Sequence, residues 1–276
     1  MLSYRHAFHA GNHADVLKHV VLVEILRHLT AKPKDLWYIE THAGAGEYVL
    51  GADASASEAA GGIGRLWTAT NLPAVVARYR DRVARYNPDG ELVRYPGSPR
   101  LAADCLRNGD RLWLHELHPT DHAALVETFA AKGGRRDRRV RVGQRDGLAA
   151  LRALLPPPPR RALVLVDPSY ERKSDYAAVV QALADALRRF ATGVYAVWYP
   201  VLGRREARSL PRELEGVAGA RWLRAELSVL DPADPGLQGS GMFVVNPPHT
   251  LAAELAPGLP WLAAALGRSA AAGHVL

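Results

Sequence analysis

From residue 111 onward, short apolar runs typical of β-strands alternate with longer stretches typical of α-helices. One strand is predicted earlier, at LWYIE, and the later ones at LWLHELHP, RRVRVGQRDG, RALVLVDPSY, GVYAVWYP, RWLRAELSVL and GMFVVNPPH. The first five later runs are separated by TDHAALVETFAA, GLAALRALL, YAAVVQALADALRRF and RREARSLPRELEG. Strands that alternate with helices predict a mostly parallel α/β sheet. The last two strands are joined by DPADPGLQGS, which has no helix, so one of them is predicted to run antiparallel.

One helix and one helical insertion are predicted before this alternation begins. Asn12 and Asp15 suit a helix start, and DVLKHVVLVEILRHL continues the helix with so many apolar residues that we expect it to be largely buried. Between about residues 50 and 96 the chain is rich in alanine and glycine and contains one helical stretch, LPAVVARYRDRVARYN, with no convincing strand. We therefore expect a single domain over residues 1–276 with a small helical insertion at about 50–96.

Composition narrows the class of protein. The chain has 276 residues, enough for a substantial core, and its net charge of +7 and pI near 9.7 favour a polyanionic partner. A single cysteine, Cys105, excludes a disulfide framework. The N-terminus is polar and histidine-rich, unlike a signal peptide, and no apolar run approaches the length of a membrane span. A soluble, cytoplasmic protein without membrane contact is expected.

The carboxyl ends of the predicted strands carry residues suited to a ligand, because open α/β sheets bind ligands there. The first strand is followed by Glu40, His42 and the glycines Gly44 and Gly46. Glycine lets the backbone approach a ligand closely, although an ordinary tight turn also uses it. There is no GxGxxG, which argues against a dinucleotide, and no GKS or GKT, which excludes a phosphate-binding P-loop.

Acidic residues follow the next two strands. Glu116 is suited to accept hydrogen bonds from ribose hydroxyls, and Asp146, followed by Gly147, from an adenine amino group. The ordinary alternatives are a solvated acid for Glu116 and a helix N-cap for Asp146. Taken together, the three strand ends match an S-adenosylmethionine site better than these alternatives do.

The fourth strand end reads VLVDPSY, and it presents Asp167, Pro168 and Tyr170 together. The Asp167 carboxylate and the Pro168 carbonyl can each accept one N6–H of an adenine, which would hold the amine for methylation. Tyr170 would stack on the base, a contact worth about 1–3 kcal/mol and comparable to the energy needed to unstack a base. The ordinary alternative is a strand-to-loop turn with a capping aspartate.

Several blocks of the chain resemble the RlmJ family of bacterial 23S ribosomal RNA adenine-N6 methyltransferases. They are, in order, MLSYRHAFHAGNHADVLKH, THAGAGEY, YPGSP, ELHP, a strand-end DG, DP-Y-E-K-DY, GVYAVWYPV and SGMFVVNPP. The resemblance implies a Rossmann-like class I methyltransferase sheet with a small helical insertion. It also implies N6-methylation of a specific adenine in protein-free 23S ribosomal RNA, with S-adenosylmethionine as cofactor. A monomer is expected.

The resemblance also implies roles for individual residues. Asp167 would be the catalytic acid of the (D/N)PP(Y/F) motif, Lys18 would lie beside the cofactor site, and Tyr4 matches a residue that faces the substrate. The cofactor site would be lined by His19, His42, Ser98, Glu116, Asp146, Gly147 and Asp167. The motif's second proline is Ser169 here, which could loosen the turn; we expect it to be tolerated, because no proposed contact uses that side chain.

Other features allow alternative interpretations. Asn246-Pro247-Pro248-His249 looks like a second tetrad, but it carries histidine where the stacking ring belongs. His115, His118 and His122, or His6, His9 and His13, could suggest a metal site. HELHPTDH is not the HExxH zinc motif, and Pro119 would interrupt a helix that carried its three histidines, so no metal is predicted. The arginines of GGRRDRRVR and RYRDRVARY are candidates for RNA contact. The alternative functions are methylation of DNA or of a protein glutamine, and RNA binding without catalysis.

Overall fold

A computed structural model describes residues 9–50, 58–130 and 137–276. The strands are β1 (Trp37–Glu40), β2 (Glu47–Val49), β3 (Arg94–Pro96), β4 (Arg111–His115), β5 (Val140–Gly143), β6 (Ala162–Val166), β7 (Val194–Val201), β8 (Trp222–Ser228), β9 (Gly239–Val245) and β10 (Gly273–Val275). Eight of them form one sheet in the order β10-β8-β9-β7-β6-β1-β4-β5, while β2 and β3 form a separate two-stranded ribbon.

Helices flank this sheet. They are α1 (His13–Thr30), α2 (Ile63–Trp67), α3 (Ala74–Ala84), α4 (Ser98–Cys105), α5 (Pro119–Thr128), α6 (Gly147–Leu154), α7 (Lys173–Arg189), α8 (Arg205–Ala218), α9 (Leu251–Leu255) and α10 (Gly258–Leu266), with a 3-10 helix at Glu58–Gly61. The Asn12 side chain caps α1 by accepting from the amides of Ala14 and Asp15, as the sequence predicts. Helix α1 is buried without interruption from Ala14 to Leu26, which confirms the expected burial.

The strand directions confirm a Rossmann-like, mostly parallel sheet. Strands β5, β4, β1, β6 and β7 pair in parallel, and β9 pairs antiparallel with both β7 and β8. Strand β9 is thus the predicted antiparallel strand. The short edge strand β10, which also runs antiparallel to its neighbour, was not predicted. The chain moves from β1 outward to β4 on one side and later returns to β6 on the other, so strand order reverses around β1 and β6.

The two faces of the sheet support two hydrophobic clusters. Along β6, Leu163 and Leu165 pack in the cluster that contains α1, whereas Val164 and Val166 pack in the cluster with α7 and α8. This division follows from the two-residue repeat of a strand, and burial on both faces explains why β6 has no polar residue. Side chains on β6 are therefore fixed from both sides up to Val166.

The described residues between β2 and β3 are mainly helical. Strand β2 precedes this segment, β3 follows it, and the two strands pair to form the ribbon. Glu47 pairs with Pro96 and Val49 with Arg94 in an antiparallel register. The prediction of no strand up to residue 96 was wrong for β3, because a three-residue strand is too short to show an alternating pattern. The ribbon places Tyr95 beside α1. In the described ranges, no helix is both long and apolar enough to cross a membrane.

Candidate active site

The carboxyl ends of β1 and β6 lie side by side where the strand order reverses, which is the usual ligand position in open α/β sheets. Glu40 is in register with Leu165, and the Thr41 amide donates to the Leu165 carbonyl at 3.1 Å. Asp167 follows β6 directly. Helix α1 passes beside this edge, so its first two turns contribute side chains to the same site.

Lys18 joins two carboxylates at this edge. Its Nζ lies 2.6 Å from Asp167 Oδ2 and 2.7 Å from Asp15 Oδ1. The Lys18 side chain is 5% exposed and that of Asp167 is 14% exposed, so the ion pairs are largely shielded from water. Burial alone would lower the pKa of Lys18, but the two carboxylates outweigh it and hold that pKa well above its ordinary value. Lys18 therefore stays charged and fixes one oxygen of Asp167.

Asp15 was predicted only as an acid in the first turn of α1, and the structure gives it a second role. Its Oδ2 accepts from the Gly11 amide at 2.9 Å while Oδ1 binds Lys18. The sequence signal was the three-residue spacing of Asp15 and Lys18, which places both on one helix face. The carboxylate thus links the start of α1 to the Lys18–Asp167 pair.

Glu40 is fully buried at the end of β1. Its two oxygens accept from the Ser98 hydroxyl at 2.5 Å and the Tyr38 hydroxyl at 2.7 Å. Burial raises the pKa of Glu40 to about 8, although both hydrogen bonds and the charge of Lys18 oppose the rise. Ser98, the first residue of α4, is thereby held against β1. Glu40 was noted as a strand-end acid but was not predicted as a site residue.

The two histidines that the resemblance places at the cofactor lie in different environments. His42 follows Thr41 in the loop after β1, where burial lowers its pKa and the Thr41 hydroxyl lies 2.8 Å from Nδ1. His19 is buried on α1, with Nδ1 2.7 Å from the Tyr95 hydroxyl. The His19 ring packs beside the rings of Tyr79 and Tyr95. A contact between His19 and a cofactor would therefore use the edge of the ring that faces away from these tyrosines.

Glu116 closes the glycine loop against the end of β4. Its Oε2 accepts from the Gly44 amide and its Oε1 from the His118 amide, each at 2.8 Å. Gly44 adopts φ +58°, a conformation that favours glycine. A carboxylate has further lone pairs on both oxygens, so Glu116 can hold the loop and still accept from a ribose hydroxyl. It is more than a solvated strand-end acid.

Asp146 is the N-cap of α6, as the alternative interpretation proposed. Its Oδ1 accepts from the amides of Leu148 and Ala149, while Oδ2 makes no hydrogen bond within the described chain. A Cβ on Gly147 would lie 2.0 Å from the Thr41 carbonyl oxygen, so only glycine lets α6 pack against the loop after β1. Asp146 can therefore cap the helix through one oxygen and bind a ligand through the other.

Tyr170 does not lie where the stacking prediction needs it. The side chain is 2% exposed, its hydroxyl donates to the Trp198 carbonyl at 2.8 Å, and its ring lies 4.7 Å from that of Tyr176. The backbone of Tyr170 has φ +52°, so the chain leaves the extended conformation of β6 at this residue. In this conformation no ring face is open to a base. Pro168 is buried, and its carbonyl accepts no hydrogen bond from the described residues; Tyr4 lies outside them.

The rival tetrad at Asn246 lies at the opposite edge of the sheet. Strand β9 runs antiparallel to β7, so Val245 pairs with Tyr195 near the amino end of β7. The Asn246 side chain donates to the carbonyls of Ala191 and Gly193, each at 2.8 Å, and so stabilises the loop before β7. In residues 9–50, 58–130 and 137–276, no three His, Cys, Asp or Glu side chains group as metal ligands.

The residues at this edge suit S-adenosylmethionine. Acidic residues follow β1, β4 and β5, and the loop that contains Gly44 lies between the acids after β1 and β4. A side chain at Gly44 would obstruct this loop, because its Cβ would lie 2.4 Å from the Tyr48 hydroxyl. Sheet order, the glycine loop and the Asp-Pro end of β6 define a class I methyltransferase fold.

Comparison with known proteins narrows this class. The family described as "Ribosomal RNA large subunit methyltransferase D, RlmJ" matches residues 33–275. The chain is 46% identical over 265 residues to "Ribosomal RNA large subunit methyltransferase J" of Escherichia coli, covering 95% of this chain and 93% of that protein. The protein of the same name from Haemophilus influenzae is also 46% identical, over 266 residues and with the same coverage. This chain belongs to the RlmJ family.

A solved structure supports the same relationship. A crystal structure of a protein from Legionella pneumophila is similar with a TM-score of 0.89 at 36% sequence identity, covering 97% of each chain. Such coverage includes the insertion and the C-terminal strands as well as the central sheet.

Proposed function

We propose that this protein transfers a methyl group from S-adenosylmethionine to N6 of a specific adenine in protein-free 23S ribosomal RNA. Membership of the RlmJ family and the names of the two relatives support ribosomal RNA as the substrate class. The observation that carries the chemistry is the buried Lys18–Asp167 pair, which leaves Asp167 Oδ1 without a hydrogen-bond partner in the described chain.

Asp167 and Pro168 would orient the adenine amine. Asp167 Oδ1 and the Pro168 carbonyl each accept one N6–H, so the nitrogen lone pair is directed away from the ring plane. Lys18 holds the other oxygen of Asp167, so that Oδ1 is positioned before the base arrives. Holding the adenine amine against fixed acceptors in this way lowers the barrier to methyl transfer, and no covalent intermediate with the protein is required.

The cofactor supplies the methyl group when it is bound. Glu116 and Asp146 would accept from its ribose and adenine, which is supported by the acceptor capacity that each keeps beyond its structural hydrogen bonds. Gly147 and His42 would line the same pocket, as would Ser98 beside Glu40. His19 would contribute from α1, and we retain Tyr4 as a substrate-facing residue.

Base stacking by Tyr170 requires the loop after β6 to rearrange. The ring must leave Tyr176 and the hydroxyl must release the Trp198 carbonyl, at the cost of about one hydrogen bond. Ser169, which replaces the motif's second proline, leaves this loop freer to move because proline would fix φ. Replacing Ser169 with proline should therefore leave kcat unchanged or lower it, and a rise of about a hundredfold or more would show that the natural site is impaired.

The test is methyl transfer from labelled cofactor to ribosomal RNA, DNA or protein. We expect only unmodified ribosomal RNA to gain label, as N6-methyladenine. Asp167→Ala should lower kcat by at least about a hundredfold, since the amine loses one of its two acceptors, while calorimetry shows the variant folded and cofactor-competent. Label in DNA or protein glutamine, or a fully active Asp167→Ala variant, would refute the proposal.

A further inference from the structure

Four exposed arginines lie along helix α8 beside the candidate site. Arg204 is the N-cap residue of α8, and Arg205, Arg208 and Arg212 follow within two turns. Because α8 begins just after β7 ends, its first turn lies at the same edge of the sheet as Asp167. The Arg204 side chain also donates to the Tyr170 carbonyl at 3.4 Å, which connects these arginines to the loop after β6. We call the four residues the α8 arginine strip.

The stability of α8 does not account for this strip. Cations near a helix N-terminus oppose the helix dipole, and Arg204, Arg208 and Arg212 repeat at four-residue spacing, which places like charges next to each other. Across the parts of the chain that the structure describes, Arg205, Arg208 and Arg212 form no ion pair. The nearby pairs are Lys173 with Glu206 and Arg224 with Glu215. An anionic ligand would offset this repulsion.

A cavity of about 280 Å³ adjoins the strip, between α8, the end of β7 and β8. Its polar lining includes Arg208, Arg212, Arg224 and Glu226, and Glu226 accepts from the Tyr199 hydroxyl at 2.8 Å. The rest of the lining is mainly apolar. Arginine forks bind phosphate, and an apolar wall can pack against a base.

Helix α8 also has a backbone carbonyl without its usual donor. Pro211 lies inside the helix and has no N–H, so the carbonyl of Ala207 lacks its usual helical donor. Both residues line the cavity. A carbonyl without a helical partner can accept from a ribose hydroxyl or an exocyclic amine. Guanidinium groups, an apolar wall and a carbonyl acceptor together match the parts of a nucleotide.

Several of the arginines singled out in the sequence are less available. Arg78 is bound to Glu24 and Glu254, and Arg80 to Asp81. In the GGRRDRRVR stretch, of which residues 133–136 lie outside the described chain, Arg139 is bound to Asp137 and to the Leu106 carbonyl. These side chains support the fold, whereas the α8 strip is exposed beside the reacting edge.

We propose that the α8 arginine strip and its cavity bind the RNA segment that flanks the target adenine. The guanidinium groups bind phosphates, and the cavity takes one unstacked nucleotide. Phosphate contacts fix the position of the RNA, and Arg204 ties the strip to the loop that carries Tyr170. The inference rests on the proposed function, because it requires RNA as the substrate.

The test compares two double variants that remove the same charge. In Arg208→Ala/Arg212→Ala, the Kd for unmodified ribosomal RNA should rise about tenfold, and the slope of log Kd against log salt should fall by about 1.4, as expected for two single-strand phosphate contacts. The KM for RNA should rise more than kcat falls, and the cofactor Kd by calorimetry should not change. Arg208→Lys/Arg212→Lys should restore most of the salt slope.

The control is Arg188→Ala/Arg221→Ala. Both residues are exposed, and they lie at the end of α7 and before β8, at the amino edge of the sheet. RNA affinity and salt slope should match wild type in this control. Equal behaviour of the two alanine double variants, with wild-type methylation of RNA intact, would overturn the α8 inference alone. A wild-type protein that methylates no RNA would overturn the proposed function as well.

Discussion

Lys18 is the residue on which the charge balance of the site depends. Its ammonium group partly neutralises the carboxylates of Asp15 and Asp167. Removing one partner of a buried ion pair lowers the free energy of unfolding by about 3–5 kcal/mol. Asp15 also holds the Gly11 amide, so the balance extends to the start of α1. Without Lys18, Asp167 would lose the contact that fixes its Oδ2, and its hold on an adenine amine would weaken.

We expect Lys18→Met to lower both stability and turnover. The loss in unfolding free energy should be about 3–5 kcal/mol, and kcat should fall by at least about a hundredfold because Asp167 loses its fixed position. Urea unfolding and methylation assays measure the two effects. Lys32→Met, which removes an exposed lysine just after α1, is the matched control and should change neither. Wild-type turnover in Lys18→Met would show that the pair is not needed.

Glu40 gives the protein a predictable dependence of stability on pH. Burial raises its folded pKa to about 8 from the ordinary value of 4.5, so between these values the folded state holds a proton that the unfolded state has released. The stabilisation is complete below the unfolded pKa and is lost as pH rises to the folded pKa. One proton corresponds to about 1.4 kcal/mol per pH unit.

Glu40→Gln should remove this dependence while keeping the side-chain shape: the amide oxygen can accept from one of the Ser98 and Tyr38 hydroxyls, and the amide nitrogen can donate to the other. Urea unfolding at pH 6 and pH 7 should show wild type losing up to about 1.4 kcal/mol more than the variant. Other groups that titrate in this range cancel in the comparison. Parallel curves for the two proteins would mean that Glu40 is ionised in the folded state.

Part of the site could be predicted from single residues. Parallel strands end at one edge, so the acids after β1, β4, β5 and β6 had to lie near one another. The Asp15–Lys18–Asp167 contact could not be derived from spacing, because it joins residues 149 positions apart through the path of α1. The burial of Tyr170 was also inaccessible, since packing against Tyr176 and Trp198 decides it.

At the scale of elements, the long strands and helices could be predicted and the short ones could not. The β6 run is apolar at every position because both faces are covered, and this pattern is visible in the sequence. Strands β2, β3 and β10 have three residues each, and their pairing comes from tertiary contacts instead of an alternating pattern. Helix α4 begins at Ser98 after a glycine and before a proline, and no helix was predicted at this position.

The loop between β6 and α7 yields a prediction about Tyr170. If the ring leaves its buried position to stack on a base, Tyr170→Phe should keep kcat, because the ring remains and only the bond to the Trp198 carbonyl is lost. Tyr170→Leu should lower kcat by at least about tenfold, given a stacking energy of about 1–3 kcal/mol. Methylation of RNA at saturating cofactor measures both variants.

Tyr195→Phe is the matched control for the lost hydroxyl. The Tyr195 hydroxyl also donates to backbone carbonyls, but at the amino end of β7, so this variant should lose about 1 kcal/mol of stability and no activity. Equal turnover in Tyr170→Phe and Tyr170→Leu would mean that the ring is a structural residue and that another group stacks on the base.

Over the whole molecule, α1 is the element that joins the sheet, the helices before α4 and the C-terminal helices. Its buried Glu24 binds Arg27 and Arg78, and both arginines also bind Glu254 of α9. His19 on the same helix contacts Tyr95, which in turn contacts Tyr79 of α3. These contacts connect the insertion to the Lys18 side of the site.

This connection predicts that the insertion does not open separately from the sheet. Val75, Val76 and Tyr79 of α3 belong to the hydrophobic cluster that contains α1, so exposing α3 would also expose part of that core. Amide hydrogen exchange should therefore give α3 and β6 similar free energies of opening, close to the global value. Glu24→Gln should lower the protection of α3 more than that of β6, because Arg78 loses its buried partner. Much faster exchange in α3 of the wild-type protein would show that the insertion opens independently of the sheet. Its polar contacts with α1 would then not couple it to Asp167.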